Sequence, residues 1–100
     1  MAEAGLSASE PIGLDEAKAF LRVAHADEDA LIGTLIAAAR DYVETQTRRE
    51  LAADVPAALR QAMRLLIAHW YEHRATASDR AAQIPDGVGA LIAPYRELSL

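Results

Sequence analysis

Residues 28–48 read EDALIGTLIAAARDYVETQTR, and this stretch decides the fold. Its apolar residues Leu31, Ile32, Leu35, Ile36, Ala39, Tyr42 and Val43 recur at the i, i+1, i+4, i+5, i+8 spacing that lays one buried stripe along an α-helix. A strand would show alternation, and none is present. Thr34, Ala38, Arg40, Asp41 and Glu44 fall on the opposite face. The acids Asp27, Glu28 and Asp29 stand where carboxylates favour the positive end of a helix, with Asp27 placed as N-cap. Arg48 and Arg49 stand where cations suit the negative end. The spacing predicts a helix from about Glu28 to Arg48.

Downstream, the pattern repeats from about Pro56 to Ala75, with Leu59, Ala62, Met63, Leu66, Ile67, Trp70 and Tyr71 on one face and Arg60, Gln61, Arg64 and Glu72 opposing it. Ala52 to Pro56 is a linker in which Pro56 fits the first helical turn and Asp54 is the expected cap. Upstream, Leu14 to Val23 is a short helix whose stripe is Leu14, Ala17, Phe20 and Leu21, with Asp15 and Glu16 in the first turn. Ala75 to Gln83 is a small polar connection, and Ile84-Pro85-Asp86-Gly87 is turn chemistry leading into a helix of at most two turns, Val88 to Ala93, which Pro94 ends. Met1 to Glu10 reads as a mobile arm and Tyr95 to Leu100 as an amphipathic tail. The expected fold is all-α: a small bundle of two long antiparallel helices with a short N-terminal and a short C-terminal helix. Its divisions are an arm over 1–10, a helical domain over 11–94 and a docking tail over 95–100. Leu35, Ile36, Tyr42, Leu66, Trp70 and Tyr71 are the expected core.

Composition agrees with helix. Of 100 residues, 23 are alanine and only five are aromatic, while 52% are hydrophobic and 25% charged, the profile of one small globular domain. A chain of this mass buries about 65% of its surface on folding, which allows one modest core. With no cysteine, a disulfide scaffold, a thiolate zinc site and a cysteine nucleophile are excluded. No apolar run approaches the roughly 20 residues of a membrane span. The first ten residues carry two acids and no base, unlike a signal peptide, so a cytoplasmic chain is expected. The net charge of −5 opposes a freestanding nucleic-acid binder. Charge is unevenly placed: residues 1–47 hold three bases and nine acids, whereas residues 48–80 hold six and four. Nine of the ten bases are arginine, whose planar fork suits paired, partly desolvated contacts.

One string has the form of a catalytic motif. His69-Trp70-Tyr71-Glu72-His73 matches H-x-x-E-H, in which two histidines four apart hold zinc and the glutamate acts as base. Such a site needs a third protein ligand and a walled cleft, and the chain has one other histidine, His25. Trp70 and Tyr71 lie on the core stripe, so the histidines flank it as edge residues. A zinc-dependent hydrolase through His69, Glu72 and His73 is the weakest of the readings, and a small helical DNA-binding regulator stands ahead of it. No phosphate-binding glycine loop, positioned nucleophilic serine or calcium loop is present, so no enzyme and no cofactor are expected.

Taken in order, the strings resemble one family. Leu14-Asp15-Glu16-Ala17-Lys18 with Leu21-Arg22-Val23 is followed by Asp27-Glu28-Asp29-Ala30-Leu31-Ile32 and by Ala37-Ala38-Ala39-Arg40-Asp41-Tyr42-Val43-Glu44. Then come Gln61-Ala62, Ala68-His69-Trp70-Tyr71-Glu72-His73-Arg74, Ile84-Pro85 with Val88, and Leu91-Ile92-Ala93-Pro94-Tyr95-Arg96. Together they resemble the small helical head-tail connector, or adaptor, proteins of long-tailed bacteriophages and of phage-derived gene transfer agents, over Pro11 to Arg96. The most specific pieces are H-W-Y-E-x-R at 69–74 and P-Y-R at 94–96. In that family the histidine-bearing string belongs to a structural helix. Family members often carry a glycine after the second helix. Here the region reads Thr45-Gln46-Thr47-Arg48-Arg49, which predicts a longer helix.

The resemblance implies a structural protein at the head-tail junction of a virion or phage-like particle. It would form a ring, expected to be dodecameric, beneath the portal, receive the stopper or tail-completion protein, and pass DNA through its channel without reading sequence. Assembly would take place in the bacterial cytoplasm, with no membrane involved. A head-to-tail ring needs two different complementary patches per subunit, which the acidic front and basic rear of the chain supply. Arg48, Arg49, Arg64 and Arg74 are the candidate inter-subunit or portal contacts, and Tyr95, Arg96, Leu98 and Leu100 the candidate docking tail.

Overall fold

A computed structural model of the protein describes residues 11–52, 54–73 and 84–96. Among these residues the structure is all-helical, with no strand. The helices are α1 (Leu14–Leu21), α2 (Asp29–Thr47), α3 (Ala57–Glu72) and α4 (Val88–Ile92), followed by a 3₁₀ turn, Ala93–Tyr95. The arm Met1 to Glu10, Arg74, and the tail residues Leu98 and Leu100 lie outside the described residues.

The stripe read from residues 28–48 is the buried face of α2: Ile32, Leu35, Ile36, Ala39, Val43 and Thr47 are all buried. The facing stripe of α3 contributes Leu59, Ala62, Met63, Leu66, Ile67 and Trp70. These two helices make the largest contact in the molecule; α4 packs chiefly on α3, and α1 lies across both long helices. Ala17 of α1 and Val88 and Ile92 of α4 complete one continuous core, joined by Ile12 and Leu51 from outside the helices. Tyr42 and Tyr71 are half-buried against it. Thr47 is the only buried polar residue described, and its hydroxyl is satisfied by donating to the Val43 carbonyl at 2.7 Å.

Helix ends depart from the sequence-based expectations for local physical reasons. α2 stops at Thr47 rather than lengthening: Arg48 takes the left-handed conformation (φ 56°), and its N–H closes the helix on the Glu44 carbonyl at 2.8 Å. α1 stops at Leu21 in the same way. Arg22 (φ 62°) donates to the Ala19 carbonyl and Val23 to that of Lys18, a Schellman closure with arginine where glycine is usual. Neither Asp27 nor Asp54 caps a helix. The residues preceding α2 and α3 are Glu28 and Pro56, and neither makes a side-chain cap bond. Phe20, expected in the apolar stripe of α1, is 42% exposed, because an eight-residue helix turns only Ala17 fully inward, with Leu14 and Leu21 partly buried beside it. The turn before α4 forms at Asp86 and Gly87, where Gly87 takes the positive φ (95°) that a side chain would strain. α4 stops at Ile92, just ahead of Pro94 as expected, and Pro94 sits at the start of the 3₁₀ turn that follows, where its missing N–H costs nothing.

Candidate interaction surface

Three polar clusters tie the helices together, and their positions sort the expected interface residues. In the first, Glu16 of α1 faces α3: its Oε2 lies 2.5 Å from Arg60 Nη2 and 3.7 Å from Arg64 Nη2. Arg60 also donates through Nη1 to the Pro11 carbonyl, so one guanidinium holds both α1 and the chain leading into it. Arg64, expected at an interface, is thus placed against its own α1. One carboxylate serves two cations, and Arg64 Nη1 is buried with no hydrogen-bond acceptor. Sequence reading passed over Glu16 and Arg60 as site residues; they are 44 positions apart, and no local pattern announces the pair.

The second cluster lies at the start of α2. Lys18 pairs with Asp29 at 2.8 Å, and the Tyr71 hydroxyl at the end of α3 donates to the Glu28 carboxylate. Asp27 projects outward, its side chain 89% exposed, with His25 Nδ1 3.9 Å away. Close by in sequence, His69 and His73 stack with ring centroids 4.3 Å apart, and His73 Nδ1 lies 2.9 Å from the His69 carbonyl oxygen. Glu72 is exposed. Among the described residues no three histidine, aspartate or glutamate side chains converge as a metal site would require.

The third cluster gathers four of the expected contact residues at the other end of α2. Arg48, Arg49 and Arg96 are exposed and Tyr95 is half-buried. The Arg49 guanidinium lies over the Tyr95 ring, 5.7 Å from its centroid, a cation–π contact that holds the 3₁₀ turn against the end of α2. Arg96 donates to Gln46 Oε1 at 3.3 Å. Glu44 organises the loop beneath, its carboxylate accepting the Leu51 N–H at 2.8 Å. A shallow open depression runs along this corner between Asp41, Glu44, Thr45, Arg48, Arg49 and Glu50. The described C-terminal end of the chain reaches this corner, Arg96 through Gln46 in the last turn of α2.

None of these clusters sits in a walled cleft, and no helix among the described residues is long and apolar enough to cross a membrane. No curated protein and no solved structure matches the chain. The family model for phage gp6-like head-tail connector proteins matches residues 11–96, which takes in all four helices and all three clusters. With a match over residues 11–96, the chain, all-helical among its described residues, belongs to the phage gp6-like head-tail connector family, structural components of the junction between phage head and tail.

Proposed function

We propose that the protein is a head-tail adaptor that assembles as a ring beneath the portal, joins the DNA-filled head to the stopper and tail, and leaves an axial passage for DNA. The observation that carries this reading is the family match over residues 11–96. It is supported by the gathering of Arg48, Arg49, Tyr95 and Arg96 on one outward corner. The two long helices run antiparallel in this reading, in keeping with the Tyr71–Glu28 bond between the end of α3 and the start of α2. The ring is dodecameric, and its host particle is a phage or a gene transfer agent. The segment after Tyr95 docks on a partner through Leu98 and Leu100, bulky apolar residues whose burial against a partner is favourable. Arg74 contributes to the same contacts.

Deleting the gene from the particle-producing cell tests the function. Heads that package DNA but carry no tails, rescued by the gene in trans, are the expected result; tailed infectious particles in its absence overturn the proposal. Removing Leu98 to Leu100 alone should lower the amount of this protein retained on portal-containing particles, and unchanged retention would exclude the docking role of the tail.

A further inference from the structure

The two ends of α2 carry opposite polar character, and nothing in the subunit brings them together. At its start stand Asp27, Glu28 and Asp29; at its end stand Arg48 and Arg49, with Arg96 held beside them through Gln46. A 19-residue helix is about 28 Å long, more than three Debye lengths of roughly 8 Å at physiological salt, so the ends of one copy do not feel each other. Each end is also pre-ordered. Lys18 fixes Asp29 and Tyr71 fixes Glu28, which leaves Asp27 as the outermost carboxylate. Tyr95 carries the Arg49 guanidinium on its face.

We infer that the corner formed by Arg48, Arg49 and Arg96 is the docking surface for the acidic start of α2, with Asp27 foremost, in a second copy of this chain. The inference rests on the ring reading and specifies which surfaces meet. DNA is the poorer occupant, because Asp41, Glu44 and Glu50 line the depression beside the arginines and repel a continuous phosphate backbone. A short acidic protein segment fits, since its few carboxylates can meet the arginine forks without running on past the neighbouring acids. Because the two patches differ and sit at opposite ends, the contact is head-to-tail and leaves one unfilled patch at each end until a ring closes.

The chain has no cysteine, which permits trapping by disulfide. Ala26 is an exposed neighbour of Asp27, and Thr45 is exposed in the depression beside Arg48 and Arg49, so a variant carrying Ala26→Cys and Thr45→Cys keeps every charge named above in place. Oxidised at low salt, it should give a ladder extending beyond the dimer. The single variants should stay monomeric alone and stop at dimer when mixed. Adding Arg48→Glu and Arg49→Glu should abolish the ladder while circular dichroism stays helical. A double variant that stops at dimer overturns the head-to-tail contact in favour of a two-fold pair. Absence of cross-links while the cysteine-free protein still assembles by mass, alone or on portal rings, overturns this interface and leaves the ring standing. Absence of both overturns the interface and the ring together.

Discussion

Arg22 and Arg48 each hold a backbone conformation that L-residues with a Cβ enter at a cost of about 1–2 kcal/mol, and each does so to close a helix. Replacing either with glycine removes that strain and adds about 0.5–1 kcal/mol of unfolded-state entropy to be overcome. The expected net gain for Arg22→Gly or Arg48→Gly is roughly 0.5–1 kcal/mol, or about 2–8 °C in thermal midpoint; an unchanged or lower midpoint for both would contradict the closure geometry. That arginine persists at position 48 fits its place in the basic corner. Glu16 is the other residue on which much turns, because Arg60 and Arg64 share it. Glu16→Ala leaves two half-buried guanidinium groups without their carboxylate, and a loss of about 1–3 kcal/mol is expected from urea denaturation. Glu16→Gln should cost less, since the amide still accepts from Arg60. Neither positive-φ arginine was legible beforehand: with no glycine at 22 or 48, sequence reasoning carried both helices too far.

Among the elements, α2 and α3 were readable because each buries a long, continuous stripe, and periodicity reports such stripes directly. α1 was readable only as a helix. Over eight residues several phases of the apolar face are possible, and the tertiary fit selected Ala17 and left Phe20 outside. Phe20→Ser is accordingly expected to change stability by no more than about 0.5 kcal/mol, whereas Trp70→Ala should cost about 3–5 kcal/mol by opening a cavity between the long helices. Equal destabilisation by the two, measured by denaturant midpoint, would contradict the packing of α1. The caps were misread because Asp27 and Asp54 are good caps in isolation, while long-range bonds outweigh local preference. Glu28 is drawn to Tyr71, 43 residues away. The same holds for the polar clusters: the positions of Arg48, Arg49, Tyr95 and Arg96 were legible as candidates, but their meeting at one corner depends on how α4 returns the chain to the end of α2.

At the scale of the molecule, the described residues form a single modest core with an outward-facing polar corner, which the proposed ring would cover with neighbouring copies. The family assignment places such a subunit at the head-tail junction. The proposed ring needs two unlike patches on each copy, and its assembly should then depend on charge: Arg48→Glu with Arg49→Glu should shift the mass distribution toward monomer, most clearly at low salt. The measurement that bears most directly on the proposed function is the mass of the protein bound to purified portal rings, by native mass spectrometry or by imaging the complex. A closed ring of this chain seated on one face of the portal, coaxial with its channel, is the expected result. Portal rings that bind no copies, or isolated copies without rotational symmetry, would contradict it.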